Sequence, residues 1–413
     1  MWDDVRAAVH DPRSLAQLLG AATPGTAAML DRALAGGELS AEEGEHLLQV
    51  EGDDLAALVR AADHARAADV GDEVTYVINR NINWTNVCFV GCQFCAFAVH
   101  RKDETAYNHS IDDVMVKVQD AIDRGAHEIC MQGGINPESD AFFYRDLLEA
   151  IRARYPRLHI HAFSPMEVMY GARRTGMTYR DYLTMLRDAG LGTIPGTAAE
   201  ILDDDVREIL SHKKVDVRTW VEIITTAHEI GLRSSSTVMY GHVETPGHVA
   251  RHIALIRDLQ KRTGGFTEFV PLRFIHTLTQ LYQKGMVTPP PVGLLDLRVY
   301  ATSRLMLRGW IDNLQTSWVK LGTELAQMTL AAGCNDFGGT LMEESISKPA
   351  GADFGEYLPE ADIIALIRAA GRIPSQRTTT YGRIAPDGAT QPGRGAGWRS
   401  GSGAVSPGPV LAS

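Results

Sequence analysis

Residues 110–134 read S-I-D-D-V-M-V-K-V-Q-D-A-I-D-R-G-A-H-E-I-C-M-Q-G-G, and this run sets the architecture. Ile111, Val114, Met115, Val118 and Ile122 recur at the spacing of one helix face. Ser110 is placed to cap the start of that helix, and Gly125 to end it in the left-handed conformation. A short strand, H-E-I-C-M, follows at once and runs into Gln132-Gly133-Gly134. The same unit recurs along the chain. Arg187-Asp188-Ala189-Gly190 leads into L-G-T-I, and His228-Glu229-Ile230-Gly231 leads into Ser234 to Tyr240. Ala331-Ala332-Gly333 leads into Cys334-Asn335-Asp336, and Leu158 to Phe163 and Thr267 to Leu272 are further strands. Strands alternating with helices of roughly 10–15 residues specify βαβ units and a parallel sheet. Six or more units favour an α/β fold of the (β/α) barrel type, complete or partial. An open doubly wound sheet ranks second, because its G-x-G-x-x-G fingerprint is missing from the expected place.

Around the barrel, residues 1–72 are helical in pattern and form an N-terminal extension. Ser40 with Glu43 there makes a capping box. The barrel is expected over 73–350, with a C-terminal helix and closing segment over 351–384. From 385 to 413 the chain is mainly Gly, Pro, Ser and Ala, and a disordered tail is expected. The 413 residues are 45% hydrophobic and 22% charged, as in a soluble globular protein. A net charge of −11 argues against a general nucleic-acid binder. No stretch approaches the ~18 apolar residues of a membrane span. The opening M-W-D-D-V-R lacks the pattern of a secretory signal. Five cysteines are too few and too clustered for a disulfide framework, so a reducing cytoplasm is expected.

Cys88, Cys92 and Cys95 form C-x3-C-x2-C within N-V-C-F-V-G-C-Q-F-C-A-F. Three thiolates on one short loop can hold three irons of a [4Fe–4S] cluster and leave the fourth open to a small chelating ligand. Gly91 lets the loop wrap tightly, and Phe89, Phe94 and Phe97 can shield the metal. The alternatives are a zinc site completed by a residue such as His100 and a Cys92–Cys95 dithiol. Cys130 and Cys334 fall in expected strands and read as small buried hydrophobes.

With a βα barrel behind it, the cysteine motif resembles that of the radical S-adenosylmethionine enzymes. In that superfamily the open iron is chelated by the methionine end of the cofactor, and a 5′-deoxyadenosyl radical results. Longer strings are similar to the tyrosine-utilising subunit of FO synthase, the 5-amino-6-(D-ribitylamino)uracil–L-tyrosine 4-hydroxyphenyl transferases. Among them are N-R-N-I-N-W-T-N-V-C (79–88), C-M-Q-G-G-I-N-P (130–137), H-A-F-S-P-M-E-V (161–168) and I-P-G-T-A-A-E-I-L-D-D (194–204). V-M-Y-G-H-V-E (238–244), G-G-F-T-E-F-V-P-L (264–272), Q-T-S-W-V-K-L-G (315–322), N-D-F-G-G-T-L-M-E-E (335–344) and R-T-T-T-Y (377–381) extend the resemblance. It implies a transferase with a [4Fe–4S] cluster and S-adenosylmethionine as cofactors. L-tyrosine would be cleaved between Cα and Cβ, and its 4-hydroxybenzyl fragment joined to 5-amino-6-(D-ribitylamino)uracil, a step towards deazaflavin. The implied partners are an electron donor and the second FO synthase subunit that closes the ring. The sister radical enzymes of the futalosine route to menaquinone are the near alternative, and a non-catalytic zinc scaffold is the distant one.

Catalytic side chains of a barrel sit at the C-terminal ends of its strands. By the resemblance, Gln132, Gly133 and Gly134 match the segment that binds the methionine amino group, where a plain tight turn is the other reading. Phe94 is expected at the adenine. Ser164 suits the ribose hydroxyls and Glu167 the amino-acid substrate, against simple helix capping. Glu200 suits the ribose or the methionine ammonium. Tyr240, His242 and Glu244 end one strand, with the last two as acid and base for the tyrosine amine or as structural groups. Gln315, Ser317 and Trp318 would contact the uracil, and Asn335 and Asp336, ending the last strand, its imide edge. One segment departs from the family's P-L-P-F: Pro271-Leu272-Arg273-Phe274 puts a charge where the strand should meet the barrel mouth.

Overall fold

The computed structural model describes residues 2–385 and 389–391. Its strands are β1 (Glu73–Val77), β2 (Asn79–Ile82), β3 (Glu128–Met131), β4 (His159–Ala162), β5 (Thr193–Ile194) and β6 (Arg233–Tyr240). They continue with β7 (Phe266–Arg273), β8 (Asp336–Gly339), β9 (Ile373–Gln376), β10 (Arg383–Ile384) and β11 (Thr390–Gln391). Strands β2 to β7 pair in chain order and all in parallel. Beyond β7, Phe269 pairs with Leu314, and Gln315 with Asp336 of β8. β8 pairs in parallel with β1, which runs through Ile78 into β2. The pairings therefore return to their starting strand, and the expected parallel barrel is observed.

The helix between β2 and β3 is Ile111–Asp123, with the Ser110–Asp113 capping box at its start. Gly125 follows at φ +82°, the left-handed turn anticipated from the sequence. Val114, Val118 and Ala121 point into the core. Each buried Val or Leu side chain of such a face contributes about 1.5–3 kcal/mol relative to exposure.

The N-terminal extension is five helices, Trp2–Val9, Leu15–Ala21, Pro24–Leu34, Ala41–Leu47 and Gly52–Val70. The last packs on the helix Leu294–Met306, and Ala41–Leu47 packs on Pro246–Thr263. Gly44 lets Ala41–Leu47 settle close to both neighbours: a Cβ there would lie 2.4 Å from the Met306 sulfur and 3.3 Å from Ala250 Cβ, so the Met306 side chain would have to shift.

After the helix Glu360–Ala369, β9 pairs with β1 in parallel. Residues 377–382 then turn under the N-terminal ends of the barrel strands. Within the stretch expected from 385 to be a disordered tail, Thr390–Gln391 instead pairs with Arg383–Ile384 as an antiparallel hairpin. Residues 386–388 and 392–413 lie outside the described residues. The expected strand at Cys334-Asn335-Asp336 is also shifted. Cys334 and Asn335 precede β8, and Asp336 opens it rather than ending it.

Candidate active site

The three cysteines lie on the loop after β2, at the C-terminal end of the ring, and are all partly exposed. Backbone bonds fix this loop from several sides. Cys88 N–H donates to Val99 O (3.1 Å), Phe89 N–H to Ile135 O (3.2 Å) and Gln93 N–H to Leu210 O (2.9 Å). Asn86 ties the loop's base to its return, donating to Thr105 O and accepting from Tyr107 N–H. Gly91 takes φ +71°, the tight wrap its position suggested. Burial pushes the Cys92 thiol up to about 12 and raises Cys95, while the positive charge of Lys214 pulls both down. Thiols in such surroundings ionise on binding a metal rather than as free thiolates. Among the described residues, no three Cys, His, Asp or Glu side chains close on the position of a single ion. A cluster instead gives each thiolate its own iron, so a three-thiol loop suits it. His100 is exposed, and its Nδ1 accepts the Lys102 amide.

The Gly133-Gly134 turn is pressed against that loop. A Cβ on Gly134 would stand 2.2 Å from Val87 O and 3.1 Å from Cys88 Cβ; on Gly133 it would stand 2.3 Å from the Trp84 indole nitrogen. Gln132 accepts from Thr197 Oγ1 at 3.1 Å, and its carbonyl accepts from Asn83 Nδ2. Gly133 N–H donates to Glu167 Oε1 at 3.1 Å. Glu167 also makes the capping box with Ser164 at the start of the helix Pro165–Thr175. Ser164 and Glu167 are thus capping residues that hold the glycine turn. Burial pushes the Glu167 carboxyl up to about 7, against the bonds from Ser164 and Gly133.

Glu200 sits at φ +41° in the loop after β5, with Ala198 at φ +66°. Its Oε1 accepts from Lys214 Nζ at 2.6 Å, while Oε2 faces Arg207 at 3.5 Å and accepts no hydrogen bond. Arg207 donates to the carbonyls of Ala198, Ala199, Ile201 and Val215, fixing the loop. Lys214 lies 5.0 Å from the Phe94 ring centroid, so Phe94 and Glu200 meet through this lysine beside the cysteines. Other non-glycine residues at positive φ include Phe163, Leu341 and Met342. They too follow C-terminal strand ends, and such strain concentrates at working sites.

The residues ending β6 are turned inward. Tyr240 is fully buried and its hydroxyl donates to Asp296 at 2.6 Å. Arg273 pairs with the same carboxylate at 2.7 Å. The charge expected at the mouth is instead a buried ion pair, because Asp296 on the helix Leu294–Met306 reaches it. His242 Nε2 donates to Met239 O, and its Nδ1 lies 2.9 Å from Glu244 Oε2. Burial works to raise the Glu244 carboxyl, but His242 and the amides of Gly241 and His242 hold it below the usual range. Ser317 is buried and accepts through its backbone from the helix that follows, and Trp318 Nε1 donates to Gly339 O.

Gln315, Asn335 and Asp336 stand elsewhere. Asn335 is held by Arg304 and the Leu314 amide. Asp336 pairs with Arg377, and Gln315 donates to Glu268. Arg377 stacks on the Tyr381 ring at 4.2 Å, and the Tyr381 hydroxyl donates to Glu268. These groups form a buried polar plug at the N-terminal ends of the strands, because R-T-T-T-Y closes the ring there. Reading Asp336 as a strand end had placed it at the wrong mouth.

Sequence reasoning missed Lys214, Arg207, Lys320 and Arg377, since isolated cations carry no spacing signal. Lys320 is half-buried and donates to Ser347 Oγ, in the neighbourhood of Glu344 and Cys95.

Two family profiles match the chain: the Radical SAM superfamily over residues 82–256 and the CofH/MqnC C-terminal region over 263–387. FO synthase from Streptomyces avermitilis is 53% identical over 338 residues, 82% of this chain and 39% of that protein. FO synthase from Mycobacterium tuberculosis is 48% identical over 387 residues, 93% and 45% respectively. The chain thus spans less than half the length of these relatives. The 5-amino-6-(D-ribitylamino)uracil–L-tyrosine 4-hydroxyphenyl transferase of Methanothermobacter thermautotrophicus is 48% identical over 346 residues, covering 84% of this chain and 94% of that one. Methylornithine synthase shares the fold with a TM-score of 0.64 at 17% identity, covering 84% of this chain and 97% of that one. The hydrogenase maturase HydG does so at 0.69 and 15%, covering 92% and 80%.

Proposed function

We propose, because this chain belongs to the 5-amino-6-(D-ribitylamino)uracil–L-tyrosine 4-hydroxyphenyl transferase family of the radical SAM superfamily, that it cleaves L-tyrosine and transfers the 4-hydroxybenzyl group to the diaminouracil. The observation that carries this reading is the three-cysteine loop locked onto Gly133-Gly134 at the C-terminal mouth of a parallel barrel. The cofactors of this superfamily are a [4Fe–4S] cluster and S-adenosylmethionine. When bound and supplied with one electron by a donor, they would provide a hydrogen-abstracting organic radical derived from S-adenosylmethionine.

The residues present fit those groups. Cys88, Cys92 and Cys95 would each hold an iron. Gln132, Gly133 and Gly134 would offer backbone to the methionine end, and Glu200 a carboxylate with one unpartnered oxygen. Phe94 would border the adenine and Trp318 the acceptor side. Ser164, Glu167, Tyr240, His242 and Glu244 act as positioning residues, since each is bonded to its own framework. His242 keeps a proton on Nε2 towards Met239 O and so holds the β6 loop. No described helix is long and apolar enough to cross a membrane. The five cysteines are unpaired, which supports work in a reducing cytoplasm. The further partner is the second half that completes FO synthase in the longer relatives.

The test is substrate-dependent formation of 5′-deoxyadenosine in the anaerobic, iron-reconstituted protein. Tyrosine should stimulate it, and a futalosine-type substrate should not. Stimulation by the latter alone would move the chain to the sister reaction.

A further inference from the structure

We propose that Lys214 is a positioning residue that sets the reduction potential of the cluster site, a role that rests on the cofactor reading above. Three independent placements bring its ammonium to the cysteine loop. It lies over the ring of Phe94, which sits between Cys92 and Cys95. It is anchored to Glu200 Oε1 at 2.6 Å. The segment carrying it, just after the helix Asp204–Ser211, is fastened to the loop by Gln93, whose backbone donates to Leu210 O and whose side chain donates to Ile209 O.

The side chains of Lys214 and Glu200 are only 14% and 9% exposed, so solvent screens the charge poorly. Burial works against the ammonium, but the Glu200 carboxylate it is bonded to offsets that and favours the charged form.

A cluster held by three thiolates gains one negative charge when it accepts an electron, and no bond forms or breaks. A fixed cation beside two of those thiolates favours the reduced form, because charge and burial around the sulfurs set such potentials. Glu200 has the opposite effect and tempers the cation. Lys214 therefore performs two tasks: it orients the carboxylate and eases electron entry.

The experiment is a dithionite titration of the reconstituted full chain, followed by electron paramagnetic resonance, with iron counted for every sample. In Lys214→Met the ratio of reduced to oxidised cluster at a fixed potential should fall about tenfold, a downward midpoint shift of about 59 mV. Lys214→Arg should stay near the wild type. Glu200→Gln, which leaves the cation uncompensated, should shift the midpoint upwards. An unchanged midpoint in Lys214→Met at full iron content, or shifts of the same sign in Lys214→Met and Glu200→Gln, would overturn the proposal. Wild-type protein that takes up no iron would overturn the cofactor reading and this proposal with it.

Discussion

Replacing Gly134 by alanine should detach the metal loop without unfolding the barrel. The added Cβ would lie 2.2 Å from the Val87 carbonyl oxygen and 2.7 Å from its carbon. Ordinary contact begins at 3.4 Å, so the site is short by about 1.2 Å. The obstacle is backbone and cannot rotate away. Val87 precedes Cys88 and is itself paired with Val99, while Gly134 N–H donates to Thr85 O at 2.8 Å. Either the end of β3 or the first cysteine must move. Overpacking of this kind costs about 1–3 kcal/mol, and a shift of about 1 Å at a ligand is enough to ruin a site. The assay is iron per chain after reconstitution, beside far-ultraviolet circular dichroism and Tm. Gly134→Ala should bind less than half the wild-type iron with an unchanged spectrum. Gly125→Ala is the control: its φ of +82° penalises alanine by about 1–2 kcal/mol, but nothing lies within 4 Å of the new atom. It should lower Tm and leave iron intact. Full iron and unaltered Tm in Gly134→Ala would refute the packing argument.

Arg377→Met should destabilise the chain by about 3–5 kcal/mol in urea unfolding, since Asp336 and Glu268 lose their buried cation. Adding Asp336→Asn should recover part of that loss, and strict additivity would argue against the pair. Tyr240→Phe should cost about 1 kcal/mol, with kcat changed less than roughly threefold, because Arg273 and the Gly293 amide still serve Asp296. A kcat loss near a hundredfold at equal stability would instead place Tyr240 on the reacting groups. Stability should also fall with acid. Burial pushes His161 down to about 4 and both His228 and His252 to about 3, so below pH 6.5 the unfolded chain binds protons that the folded chain refuses. Each contributes up to about 1.4 kcal/mol per pH unit. Glu167 has the opposite sign: with its carboxyl pushed up to about 7 from 4.5, its contribution is lost as pH rises through that window. Glu268, which burial also pushes up to about 7, adds to Glu167, and the three histidines still outweigh the two carboxyls, so urea midpoints should drop from pH 6.5 to 5; a rise would contradict the assignment of neutral buried histidines.

The barrel was legible because helix periodicity, capping residues and left-handed glycines repeat in sequence order, as Ser110 to Gly125 shows. The metal loop was legible because its ligands are close in sequence. The mouth was read less well. Asn335 and Asp336 were assigned to the wrong end of their strand, since an apolar run of two or three residues does not mark where a strand starts. Arg273 and Tyr240 were read as facing the site because Asp296, their partner, lies more than twenty residues away and leaves no local pattern. Lys214, 126 residues from Cys88, was invisible for the same reason.

The central claim is the joining reaction, and a mass spectrum tests it most directly. The reconstituted protein is incubated without oxygen with S-adenosylmethionine, a reductant, the diaminouracil and tyrosine labelled in its aromatic ring. The account predicts a diaminouracil adduct that carries the entire labelled ring. Tyrosine-dependent release of 5′-deoxyadenosine from S-adenosylmethionine, with no labelled adduct, would contradict it.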